Sequence, residues 1–313
     1  RMNKKNTPNP GTKVLSAQNK TIRMKGKIPK ILDGAMGTEL IREGLDLSLP
    51  LWSGDINLTH PGYVSKIHEE YVQAGADIVT TNTFRTSPRT YIHAGYSKLE
   101  AKVRARKSLN SAVDLAKKAA GEKCYVAGSI APLEDCYSPE RFPGDEEALG
   151  EFYELGKWLA SAGVDFLLFE TMGCGKEINA ALQATSDINI PRWISLILKN
   201  GNTLLDGSSL RETLFELRNK GIEKVLLNCN VLRVTGEGLE IIKEHWKNSW
   251  GVYPNAGLKM PSKGGHISST VSMNQFVTEM RRFLKMGAQV VGACCGSTPR
   301  HILELRKSVD IFY

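Results

Sequence analysis

No apolar run in this 313-residue chain approaches the roughly 18 residues needed to span a bilayer, so no membrane-embedded protein is expected. The basic N-terminus is not followed by the apolar stretch of a secretory leader. Cysteine is scarce: six thiols are too few for a disulfide scaffold at this length, which points to a reduced, cytoplasmic protein. Acidic residues are missing from the first 30 positions, which hold nine of the 41 lysines and arginines. The remainder carries 32 basic against 33 acidic residues, so the net charge of +8 belongs to a tail and not to the body. That tail, residues 1–29, has no aromatic residue on which a base could stack, and no nucleic-acid partner is expected. It reads as a solvated, disordered extension. The body, residues 30–313, shows no internal repeat, and a hydrophobic content of 41% supports one sizeable core.

What the body does contain is alternation. Short apolar runs end at Asp33, Asn82, Ser129, Glu170, Leu198, Cys229, Asn255 and the pair Cys294 and Cys295. Between and after them, helical patterns cover residues 38–43, 60–74, 97–120, 146–162, 176–185, 209–220, 238–246, 273–286 and 300–307, several closed by glycine. The runs are continuous rather than alternating, as for strands buried on both faces. The seventh is poor, because Pro254 cannot donate to a ladder. Eight such units over more than 250 residues predict an α/β fold, a single-domain (β/α)8 TIM barrel. A doubly wound open sheet would want a glycine-rich phosphate turn after the first strand, and Asp33-Gly34-Ala35-Met36-Gly37 lacks its spacing.

In a barrel of this kind the strand C-termini form the active face. Asp33, Asn82, Glu170, Cys229, Asn255, Cys294 and Cys295 all fall there. A lone cysteine is commonly a small buried hydrophobe. Three at strand ends, beside glycine and asparagine, instead suit one borderline-soft ion, Zn2+. Cys124 begins a strand and lies at the opposite end. Cys136 and Cys174 sit on mouth loops, from which either could add a fourth ligand. Without them one position stays open, as in a catalytic zinc site. An all-sulfur site is a weak Lewis acid for water but can hold an incoming thiol as thiolate, and alkyl transfer to sulfur follows from that.

Asp33-Gly34-Ala35-Met36-Gly37-Thr38-Glu39-Leu40, Thr81-Asn82-Thr83-Phe84, Glu170-Thr171-Met172, Asn228-Cys229 and Gly292-Ala293-Cys294-Cys295-Gly296-Ser297-Thr298-Pro299 resemble, in order and over almost the whole body, the homocysteine S-methyltransferases. The resemblance implies a zinc barrel with Cys229, Cys294 and Cys295 as ligands and the homocysteine sulfur in the fourth position. It also implies that Asp33 and Glu170 hold the amino group, and that backbone amides around Gly34, Ala35 and Met36 hold the carboxylate. Branches of the family use betaine, S-methylmethionine or methyltetrahydrofolate. The folate branch carries further domains for which this chain has no length. The betaine branch has an aromatic residue where Arg85 stands here. Trp52 lies in a loop similar to the one that supplies an onium-facing tryptophan, and indole is the best cation–π surface. Arg85 and Arg89 are candidates to pair with a donor carboxylate.

The resulting expectation is a zinc-dependent methyltransferase that makes methionine from homocysteine and a small onium donor. Cys229, Cys294 and Cys295 serve the metal; Asp33, Gly34, Ala35, Glu170, Asn82, Asn255, Trp52 and Arg85 line the substrate site. The alternatives are another thiol acceptor, a methyl-corrinoid or folate donor brought by a partner protein, and, last, a non-enzymatic zinc- or ligand-binding barrel. Small molecules are the expected partners, and a homo-oligomer is compatible with the pattern.

Overall fold

The computed structural model describes residues 28–262 and 265–313. Of the basic tail, only its last two positions, Ile28 and Pro29, fall among them. Eight parallel strands form the barrel: β1 (Lys30–Ile31), β2 (Ile78–Thr80), β3 (Tyr125–Ile130), β4 (Phe166–Met172), β5 (Arg192–Leu196), β6 (Lys224–Asn228), β7 (Ser249–Tyr253) and β8 (Val290–Val291). Each pairs with the next, β8 pairs with β1 through Val290 and Val291 opposite Lys30 and Ile31, and a bridge from Leu32 to Ile78 closes the ring.

Between the strands lie α1 (Gly37–Arg42), α2 (Ile56–Thr59), α3 (Pro61–Gln73), α4 (Pro88–His93), α5 (Lys98–Ala120), α6 (Asp145–Ala162), α7 (Gly175–Ala184), α8 (Leu210–Leu217), α9 (Leu232–His245) and α10 (Met273–Met286), and α11 (Pro299–Phe312) follows β8. The expected punctuation operates. Ser97 caps α5 in a reciprocal capping box with Glu100, and Gly163 ends α6 in the left-handed conformation. None of the described helices is long and apolar enough to cross a membrane.

Some boundaries differ from the sequence reading. The seventh strand stops at Tyr253, so Pro254 lies just beyond the ladder it could not have joined. Helix α9 begins at Leu232, six residues before the expected start, because two glycines hid it. Gly238 is there for packing: a Cβ would stand 2.5 Å from Leu198 Cδ1 and 2.9 Å from Leu227 Cδ1. Short α2 and α4 and a small antiparallel hairpin, Leu198–Asn200 with Thr203–Leu204, were not anticipated.

Two apolar clusters follow from the strand alternation. Phe166, Leu168, Trp193, Leu226 and Tyr253 belong to the barrel interior, whereas Leu167, Phe169, Val225, Leu227 and Val252 pack outward against the helices. Phe166 and Trp193 stack at 4.0 Å between centroids, and Lys224 Nζ lies 4.8 Å from the indole centroid. These bulky side chains plug the barrel, so anything that binds must do so at the mouth.

Candidate active site

Strand parity carries particular side chains to that mouth. With Phe166 and Leu168 inside, Glu170 is inside too; with Leu226 inside, so is Asn228. Cys229 would then face outward, but its φ of 55° breaks the alternation. Among the described residues the non-glycine positions with positive φ are Trp52, Thr171 and Cys229, and all three lie at this face. A left-handed β-branched residue such as Thr171 is costly and persists only when its surroundings enforce it. Here Asn228 enforces it: its Oδ1 accepts from Thr171 N (3.0 Å) and its Nδ2 donates to Thr171 Oγ1 (2.8 Å). That bridge ties the end of β4 to the end of β6.

The Cys229, Cys294 and Cys295 thiols lie within 4.8 Å of one another, with 2.7 Å between the sulfurs of Cys229 and Cys294. The segment after β8 is placed by backbone bonds, Cys294 N to Pro254 O (2.8 Å) and Gly292 N to Val252 O (2.9 Å). Gly292 permits this, since a Cβ there would meet Leu32 Cβ at 2.8 Å. Tetrahedral zinc with bonds of about 2.3 Å sets its sulfurs about 3.8 Å apart, within the range spanned by these thiols. The chemistry of the set agrees: Cys294 and Cys295 push the Cys229 thiol well above its usual range; Cys294, though lowered by its hydrogen bond with Cys229, is pushed well above its own by Cys295 and burial; and hydrogen bonds from Cys229 and Cys294 pull Cys295 down. Three thiolates so close require a cation, and the donor set fits a soft divalent ion. Cys136 and Cys174 are buried on their loops but lie outside this group, so neither supplies a fourth ligand in this geometry.

Two carboxyls share the mouth. Asp33 is buried and accepts from Thr80 N and Thr80 Oγ1, each at 2.8 Å. Burial pushes its pKa up to about 8, with Glu170 adding repulsion. Glu170 accepts from Ser129 Oγ (2.5 Å) and Tyr253 OH (3.0 Å), and burial raises it to about 7. Neither acid has a Lys or Arg partner among the described residues.

The other expected residues divide. Asn255 is buried; its Nδ2 donates to Cys229 O (2.8 Å), and its Oδ1 has no partner among the described residues. Gly34 packs on Tyr71, whose hydroxyl donates to Ala35 O (2.8 Å), while the Ala35 amide already donates to Ser297 Oγ (3.1 Å). Trp52 sits against Gly37 and Gly265, either of which would overlap the indole if given a Cβ.

Asn82 and Arg85 are both hydrogen-bonded within the chain. Asn82 exchanges hydrogen bonds with Ser53 (2.7 and 2.9 Å) and Asn57 (2.9 Å), which pins the segment from Ser53 into α2. Arg85 donates to Glu134 O (2.8 Å) and leans on the Phe84 ring. Arg89 is likewise held by Glu134, Glu147 and Glu151. Sequence reasoning missed Ser129, Tyr253 and Thr80, which fix the acids. For Tyr253 a signal existed, as it shares interior parity with the strand end at Asn255.

A profile of the family described as homocysteine S-methyltransferase matches residues 30–309. The chain belongs to that family. Among curated relatives, the selenocysteine Se-methyltransferase of Brassica oleracea var. italica is 30% identical over 307 residues, covering 88% of each chain. Homocysteine S-methyltransferase 2 of Arabidopsis thaliana is 29% identical, covering 88% of this chain and 92% of the relative. Among solved structures, the metallated homocysteine methyltransferase MmuM from Escherichia coli superposes with a TM-score of 0.78 at 26% identity, over 90% of this chain and 96% of that one. As a member of the homocysteine S-methyltransferase family the chain is a methyltransferase, and the family's barrel is the one described above.

Proposed function

We propose that this protein moves a methyl group from a small onium donor to the thiolate of L-homocysteine, giving methionine, and that Cys229, Cys294 and Cys295 hold the zinc ion the reaction uses. The observation that carries the reading is the convergence, on one barrel mouth, of three mutually close thiols with two cation-seeking carboxyls. Zinc bound by these cysteines would supply an acceptor thiol in its deprotonated, nucleophilic form at neutral pH.

The chain's own residues do the rest. Asp33 and Glu170 receive the acceptor's ammonium, and each becomes fully ionised as it does so. With the Ala35 amide occupied by Ser297, the acceptor carboxylate falls to the neighbouring amides of Gly34 and Met36. Trp52 offers an indole to the positively charged donor. The methyl carbon leaves the donor with no bonding electrons, the thiolate supplies the pair, and a neutral donor remnant departs. A sulfonium such as S-methylmethionine is favoured over betaine, because Arg85 stands where betaine users have an aromatic ring and is tied to Glu134. Reduced thiol ligands suit a cytoplasmic setting.

Purified protein incubated with homocysteine and either S-methylmethionine, S-adenosylmethionine or betaine should form methionine fastest with a sulfonium, detected by mass spectrometry. Absence of methionine with every donor would overturn the reading. A second acceptor class is favoured by one finding: a relative at 30% identity is named for methylating selenocysteine. Running cysteine and selenocysteine beside homocysteine distinguishes the two.

A further inference from the structure

We propose that Tyr253 and Ser129 are positioning residues for the acceptor: they clamp the two oxygens of Glu170 from opposite sides, so that it meets the substrate ammonium in one orientation. This rests on the proposal that Glu170 receives that ammonium, and deepens it by naming what makes Glu170 selective.

The clamp is built from three barrel strands. Ser129, on β3, donates to Glu170 Oε2 at 2.5 Å; Tyr253, at the end of β7, donates to Oε1 at 3.0 Å. Both donors are 2% exposed, so neither hydroxyl exchanges its partner for water. The Tyr253 ring belongs to the interior cluster with Phe166, Leu168 and Leu226, which fixes the phenol from below. Ser195, on β5, is fully buried, and its hydroxyl has no partner among the described residues.

A carboxylate with one O–H donor on each oxygen cannot rotate about its last bond without breaking both. Each oxygen still keeps acceptor capacity for a further donor. The ammonium of an amino-acid thiol can use that capacity; a thiol without an amino group gains nothing from it. The clamp therefore acts on recognition of the amino group and not on the sulfur chemistry, which belongs to Cys229, Cys294 and Cys295.

The test compares homocysteine with 4-mercaptobutyrate, its counterpart without the amino group, in the metal-loaded parent, Tyr253→Phe, Ser129→Ala and Glu170→Gln. Calorimetric Kd, kcat and KM, and metal content are measured for each. The expected result is a rise of about tenfold in KM and Kd for homocysteine in Tyr253→Phe and in Ser129→Ala, the scale of one hydrogen bond to a charged group. KM for 4-mercaptobutyrate should move less than about twofold, with metal content unchanged, because that acceptor has no ammonium to place. In the double variant Tyr253→Phe, Glu170→Gln, the Tyr253 effect should vanish, since its partner is gone.

Equal loss toward both acceptors, or no change toward homocysteine while Glu170→Gln stays selective, would overturn the clamp and leave the Glu170 assignment intact. If Glu170→Gln itself fails to separate the two acceptors, the underlying substrate assignment falls instead. Should one of the two clamp variants not fold, the other carries the same comparison.

Discussion

Replacing Glu170 by glutamine should make the free protein more stable at alkaline pH while weakening acceptor binding. The mouth raises the Glu170 pKa from 4.5 to about 7, chiefly by burial. Between those values the folded protein holds a proton that the unfolded chain has released. Stability therefore falls as pH rises through that window, and the full penalty applies above it. The difference of about 2.5 units, at about 1.36 kcal/mol each, amounts to about 3 kcal/mol, an upper bound because the side chain keeps some contact with water. Asp33 adds a penalty of the same sign, from 3.8 towards about 8, which the substitution leaves in place. The amide can still take one hydroxyl on its oxygen and donate to the other, so Ser129 and Tyr253 are not stranded.

Thermal melts of metal-free parent and variant at pH 5, 6, 7 and 8, without acceptor, provide the assay. The curves should nearly coincide at pH 5 and separate by several degrees at pH 8, since 1 kcal/mol moves Tm by about 2–4 °C in a chain of this order of size. With homocysteine at 100 times the parent Kd the gap at pH 8 should nearly close, as ligand binding adds about 2.7 kcal/mol to the parent. An offset that does not depend on pH would refute the reasoning, because the carboxyl would then not be ionising against a buried environment.

Cys229→Ser and Cys295→Ser should each lose most of the bound metal in elemental analysis, while Cys124→Ser, at the other end of the barrel, should keep it. Gly265→Ala should raise KM for the donor more than for homocysteine in steady-state assays, since its Cβ would stand 1.8 Å from Trp52 Cη2 and must displace the indole. Arg89→Ala should destabilise the fold by on the order of 2 kcal/mol in urea titrations, between the values for exposed and buried pairs, because Glu134, Glu147 and Glu151 would be left together. It should leave donor KM unchanged; a rise would restore Arg89 as a donor ligand.

The barrel and the cluster of three thiols were legible in the chain alone. Continuous apolar runs mean strands buried on both faces, and eight of them separated by capped helices leave few topologies open. The thiols at Cys229, Cys294 and Cys295 and the acids at Asp33 and Glu170 end such runs, so the fold class carries them to one face before any coordinate is known. The tertiary structure decided which polar neighbours are free to bind. Asn82 and Arg85 look as unengaged in the sequence as Asp33 does, yet Asn82 is hydrogen-bonded to Ser53 and Asn57, and Arg85 to Glu134. Those partners lie between 25 and 49 residues away, and hydrogen bonds at such separations leave no periodic trace. The roles of Tyr253 and Ser129 were hidden for the same reason: their strand positions are legible, but only closure of the barrel brings β3 and β7 to Glu170. Local patterning sets which face a side chain takes, whereas what it meets there is set by strands far away in sequence.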